Sequence, residues 1–267
     1  MKVPGTINLG LLLGALVLLN GCTTSGNTRT DLEDSTGSLG ENQQRNTGAG
    51  DIYVSLAVAY MQNGQMDIAL QQAKKAIRID PGSSGAHTAI ALIYSRLGEF
   101  GLAEHHYRIG IEAEPRNPYI RNAYGTFLCQ QGKYQAAEQE FVKALKNPLY
   151  QTPELAYTNA ALCTSQQGSA ERSEAYLQKA LQTNPGFAPA LLQMAKLSVN
   201  RGDFDSARFY LQRYVAGAPH NAESLWVGIQ TERALGDRDR AASYLLQLKS
   251  AFPDSPEVRL AREPEVR

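Results

Sequence analysis

The stretch Ile68–Asp80, IALQQAKKAIRID, closed by Pro81, decides how this chain folds. Ala69, Ala73, Ala76 and Ile77 recur at the three- and four-residue spacing that puts them on one face of a helix. Small side chains on that face let another helix approach closely. Pro81 cannot continue the helix, and it stiffens the turn that follows. Upstream, Gly64 can take the positive φ that ends a preceding helix. The segment therefore implies two antiparallel helices joined at Gly64 and closed at Pro81.

The unit recurs on both sides. Gly64, Gly98, Gly132, Gly168, Gly202 and Gly236 are spaced by 34, 34, 36, 34 and 34 residues. Five residues after each lie Ala69, Ala103, Ala137, Ser173, Ala207 and Ala241. Seven before each lie Ala57, Ala91, Gly125, Ala161, Ala195 and Ile229. Seventeen after come Pro81, Pro115, Leu149 (with Pro148 beside it), Pro185, Pro219 and Pro253. Tyr60, Tyr94, Tyr107 and Phe141 fall where side chains fill the space between helices. This pattern resembles the tetratricopeptide repeat. The resemblance implies an all-α, right-handed superhelical solenoid of six helix pairs, at 50–83, 84–117, 118–153, 154–187, 188–221 and 222–255. The first helices of such a stack line a concave surface that takes extended or helical peptide segments. Unit three is two residues longer, through NPLYQTP, so a local shift in the superhelix is expected there. The tyrosine four residues before the glycine in units one and two becomes Leu128, Thr164, Ser198 and Glu232 in the later ones. Residues 256–267 read as a short polar tail that could begin a capping helix, which Pro264 would stop.

The amino terminus differs in kind. Lys2 precedes an apolar run from Ile7 to Leu19, too short for a transmembrane helix of about 20 residues. The run ends Leu19-Asn20-Gly21-Cys22, so residues 1–21 resemble a bacterial lipoprotein signal with Cys22 as the acylated residue. Each acyl methylene adds about 0.8 kcal/mol of membrane affinity, and stable anchoring takes more than one chain. Three chains, as in this class, imply a permanent anchor. Thr23, not aspartate, follows Cys22, which points to the periplasmic face of the outer membrane. Residues 22–49 are rich in Gly, Ser, Thr and Asn and read as a flexible tether with a reach of roughly 30 Å.

The remaining classes are weakly supported. Lys plus Arg and Asp plus Glu both number 26, and the pI is 6.9, so no whole-chain field draws nucleic acid. His87, His105, His106 and His220 are the only histidines, and the adjacent pair diverges by about 100° on a helix. There is no His-Glu-x-x-His, Cys-x-x-Cys, phosphate loop or Gly-x-Ser-x-Gly elbow. An enzyme, a small-molecule substrate, a metal and a cofactor are therefore not expected. Cys129 and Cys163 sit late in the first helices of adjacent units. Neighbouring axes lie about 8–10 Å apart, so facing side chains could bridge; two buried free thiols are the alternative.

Asn122-Ala-Tyr-Gly-Thr-Phe-Leu-Cys129, the later Cys163, and Ala242-Ser-Tyr with Gln247-Leu and Phe252-Pro together resemble the type IV pilus biogenesis lipoproteins, the PilF/PilW pilotin family. Ala123 departs from a frequent asparagine. The resemblance implies a protein that binds the outer-membrane secretin, or another pilus component, and promotes secretin localisation and multimerisation or pilus stability. The alternative from a different class is an adaptor that scaffolds peptidoglycan-synthesis or outer-membrane protein assembly complexes. For the contact itself, Val54, Val58 and Met61 lie at i, i+4 and i+7, off the face given to the core (Tyr53, Leu56, Ala57 and Tyr60). With Leu92 they are expected to form an exposed apolar stripe for a partner helix or strand. Tyr119, Asn122 and Thr126 are the polar groove candidates.

Overall fold

The computed structural model describes residues 37–262, and among them there are thirteen helices and no strand. Six antiparallel pairs follow one another: α1 (Gly37–Gln62) with α2 (Met66–Ile79), α3 (Ser84–Arg96) with α4 (Phe100–Ala113), α5 (Pro118–Gln130) with α6 (Tyr134–Leu145). Then come α7 (Pro153–Gln166) with α8 (Ala170–Thr183), α9 (Ala188–Arg201) with α10 (Phe204–Gly217), and α11 (Ala222–Ala234) with α12 (Arg238–Ala251). A short α13 (Pro256–Arg262) ends the stack. Each pair packs internally and against the next pair, so the chain is an all-α solenoid of six units.

The glycine column acts as the sequence implies. All six residues have positive φ, between 72° at Gly132 and 85° at Gly168. In unit three, Lys133 N–H reaches back to Leu128 C=O at 2.9 Å, and Gly132 N–H to Cys129 C=O at 2.9 Å. These two bonds satisfy carbonyls that a helix end would otherwise leave free. The small-residue columns set the approach of the two helices. Ala57, Ala69, Ala73 and Ala76 are fully buried. At Gly125 a Cβ would lie only 2.8 Å from Phe141 Cε1, so α5 and α6 meet ring against backbone. Starts are capped locally: Ser83 Oγ accepts from Ala86 N–H at 3.1 Å, and Asn221 forms a reciprocal capping box with Ser224.

Two of the unit departures have a visible cause. The two extra residues of unit three go into the loop after α6, where Tyr150 is buried edge-on to Tyr119 at 5.1 Å between ring centres. Glu232, in the column that holds Tyr60 and Tyr94, is 2% exposed and takes two hydrogen bonds from Arg208, its Oε1 accepting from Nε at 3.0 Å. The structure joins Cys129 to Cys163 in a disulfide with Cα atoms 5.7 Å apart, tying α5 to α7.

Two segments differ from the reading of the sequence. Helix α1 begins at Gly37, inside the range 22–49 assigned to the tether. Once residues 51–62 are helical, extending backwards adds a hydrogen bond per residue without a new nucleus. The tail forms the short capping helix α13, which ends before Pro264, but it is less polar in its packing than its composition reads. Val258 (2% exposed) and Ala261 (7%) pack onto Leu225, Ile229 and Leu248. They cover the open apolar end that any last repeat presents. The signal range 1–21 and Cys22 lie outside the described residues.

Candidate partner-binding groove

The backbones of successive first helices approach one another along the stack (α1, α3, α5, α7, α9, α11), whereas those of successive second helices stay farther apart and meet only through long side chains, as where Arg172 and Tyr176 of α8 reach Glu138 of α6. The first helices therefore form the inner side of the curve, and their free faces form its groove. Tyr119 on α5 is 48% exposed, and Leu155 and Leu162 on α7 are 40% and 38% exposed. Between α7 and α9 the groove deepens into a cleft of about 290 Å³. Leu162, Ser165 and Gln166 form one wall, and Gln193, Lys196 and Asn200 the other. Lys196 makes a close ion pair with Glu223 of α11, so the cleft meets its methylene stem and a neutralised head. Amides and hydroxyls can pair the backbone of a bound segment, and Leu162 with Leu177 and Leu197 can bury one of its side chains.

Several expected contact residues lie elsewhere. Met61 is 5% exposed and belongs to the core with Ala57, Ala89, Ile90 and Ile93. Val54, Val58 and Leu92 are half-buried against that same core. The expected exposed stripe is thus the packed seam between units one and two. Helix α1 lies directly on α3, and Arg96 reaches across to donate to Met61 C=O at 3.0 Å. Asn122 is 7% exposed, and its Oδ1 accepts from Asn159 Nδ2 at 3.1 Å, which links α5 to α7. Thr126 Oγ donates to Asn122 C=O at 3.0 Å. Of the expected set, Tyr119 is the one well exposed. Leu155 and Leu162 were legible in the repeat register, since they stand 36 residues after Tyr119 and Thr126, one long unit on.

His87, His106 and His220 serve packing, and His105 is exposed. His87 is buried, with Nε2 3.1 Å from Pro81 C=O and Nδ1 3.0 Å from His106 Nδ1. A carbonyl only accepts, so His87 carries its proton on Nε2 and His106 donates to it. Burial pushes His106 down to about 4, helped by His87, His105 and Lys74. His220 Nδ1 lies 3.0 Å from Ser224 Oγ, but this serine is fully buried inside its capping box. It is a cap, not an exposed nucleophile. Among the described residues no cluster of three or more His, Cys, Asp or Glu could hold a metal ion, and no helix is long and apolar enough to cross a membrane.

This fold and groove define a tetratricopeptide-repeat protein, and tetratricopeptide-repeat family models match residues 50–83, 88–150, 130–189, 165–231 and 228–255. Proteins of this class are interaction scaffolds. The chain is 33% identical over 254 residues to the type IV pilus assembly protein PilF of Pseudomonas aeruginosa, covering 95% of this chain and 97% of PilF. The solved structure of PilF from that organism matches with a TM-score of 0.69 over 81% of this chain and 98% of its own. The structure of PilW, described as a widely conserved type IV pilus biogenesis factor, matches at 30% identity and a TM-score of 0.70, over 80% and 99%. The chain belongs to the PilF/PilW family of type IV pilus tetratricopeptide-repeat proteins.

Proposed function

We propose that this protein is a lipoprotein of the outer membrane's periplasmic face, acylated at Cys22. Through its groove it grips a segment of the type IV pilus secretin and promotes the secretin's localisation and multimerisation. The observation that carries this reading is the end-to-end relation to PilF, over 95% of the chain. The groove supports it. Leu162 stands 38% exposed beside a cleft lined by amides, a surface suited to an extended or helical segment. Leu162→Asp changes an exposed residue, so helicity should be retained while heat-stable secretin multimers, read on a blot, are lost. Val58→Asp would instead unseat the first two units, because that side chain packs on their core. Full multimers in a folded Leu162→Asp strain would reject the groove. Normal multimers with lost surface pili in a deletion strain would assign the protein to pilus stability instead. Cys22→Ser should release the chain from the membrane fraction.

A further inference from the structure

At the edge of the solenoid, where second helices end and the next first helices begin, a cleft of about 600 Å³ opens beside the long loop of unit three. Its charged lining is Arg116, Arg121, Lys143 and Lys146, with no acidic residue among the lining side chains. Glu140 lies beneath, 8% exposed, and accepts from Arg121 Nη1 and Lys143 Nζ at 2.6 Å each. Arg121 is fixed further by donating Nε and Nη2 to Pro115 C=O at 2.9 and 2.6 Å. The nearby Glu114 carboxylate is turned to Ser84 N–H and Asn117 Nδ2. Four cations over one carboxylate leave a local charge of plus three (4 − 1), in a chain whose formal net charge is zero. Arg116 and Lys146 have no anionic partner among the described residues.

The same cleft carries Leu149, 82% exposed and more exposed than any other large apolar side chain described. It is held there by a built turn. Asn147 Oδ1 accepts from Leu149 N–H at 2.9 Å, and Asn147 Nδ2 donates to Arg116 C=O at 2.7 Å. Buried Tyr150 anchors the next position. A leucine held out over a cationic cleft matches an amphiphile, with an anionic head for the cations and hydrocarbon for the leucine. An acidic peptide or free phosphate would use the charge and leave Leu149 unexplained. Topology agrees. The first helices run parallel, so the chain enters α1 from this same edge, and an anchor at Cys22 would hold this edge nearest the bilayer.

We propose that this cleft binds the phosphate of an anionic lipid headgroup, with Leu149 entering the acyl boundary, so that the solenoid stands on the membrane by its loop edge. The inference rests on the membrane-anchored reading above for its setting, but its test does not. The chain from Thr23 onward keeps every described helix and lacks the acyl site. It should co-sediment with phosphatidylcholine vesicles that contain phosphatidylglycerol, weakly with phosphatidylcholine alone, and less as salt rises. Removing a cation near such a surface should weaken partitioning about fivefold, so Arg116→Ala with Lys146→Ala should lose roughly twenty-fivefold. Leu149→Asp should weaken it separately, with unchanged helicity in both variants. Equal binding to neutral vesicles, or full binding by the double variant, would overturn the proposal. So would displacement from the anionic vesicles by inorganic phosphate or by polyglutamate at matched ionic strength, which would mark a free-phosphate or an acidic-polypeptide site. None of these outcomes touches the groove reading, which stands or falls on Leu162 and secretin multimers.

Discussion

Opening the bridge between Cys129 and Cys163 should remove a large share of the stability of the middle of the stack. The bond closes a loop 34 residues long. Loss of that closure frees the unfolded chain by about 3.8 kcal/mol at 25 °C in the chain-entropy relation, which is an upper figure if the reduced chain keeps residual structure. The effect should be local. The bond joins α5 to α7, and units three and four already share the Asn122–Asn159 contact, so amide exchange should accelerate there before it does in units one or six. Urea unfolding followed by circular dichroism, with and without reductant, keeps the sequence and the side-chain volume constant. At a slope near 3 kcal/mol per molar, the midpoint of the affected phase should fall by up to about 1.3 M. Cys129→Ala with Cys163→Ala should reproduce the fall, with a small extra loss because both sulfurs are buried, at 7% and 2% exposure. Thiol titration of the untreated chain should find neither cysteine free. Identical midpoints and identical exchange rates with the bridge open and closed would refute the reasoning.

Acid should weaken the fold through His106. Its folded value near 4 lies below the ordinary 6.5, so the unfolded chain takes the proton first. The contribution is intact above about pH 6.5 and is lost as pH falls towards 4. It amounts to about 1–2 kcal/mol once solvent screening of this half-buried ring is allowed for. His106→Asn, which keeps a donor for His87, should flatten stability against the wild type across that window; parallel curves would sink the assignment. Arg208→Ala would strand Glu232 with its charge buried and should cost about 3–5 kcal/mol in urea unfolding. Pairing Arg208→Met with Glu232→Leu, the residue type that unit three has in that column, should recover most of it. A double variant as weak as Arg208→Ala would show that the ion pair contributes specifically.

Much of the architecture was legible before any coordinates because its determinants are local. A glycine that needs positive φ, a proline that ends a helix and alanines that admit a neighbouring helix each act within a few residues, and they repeat in phase. The partner surface was less legible for the opposite reason. Val54, Val58 and Met61 share a helical face, but whether that face meets water depends on where α3 lies, some 34 residues away in sequence. Arg96, which covers the end of that face, reaches it from the next unit. Leu162 could be placed because it stands in the column of Val58 and Leu92, while its greater exposure reflects packing around α7. Val258 and Ala261 are two apolar residues in a polar segment, and only the uncovered end of unit six explains their burial. Arg116, Arg121, Lys143 and Lys146 come from two helices and the loops before and after them, so no single stretch of the chain announces their cleft.

The ion pair of Arg208 with Glu232 bears on how far the units can be shuffled. Its two halves come from the fifth and sixth repeats, as the halves of the disulfide and of the Asn122–Asn159 bond come from the third and fourth. These two junctions are keyed differently, so removing unit three or four alone in phase would leave a lone thiol and an orphaned amide, and removing unit five alone would leave a stranded carboxylate. The array is built of similar bricks, yet the third must be laid against the fourth and the fifth against the sixth.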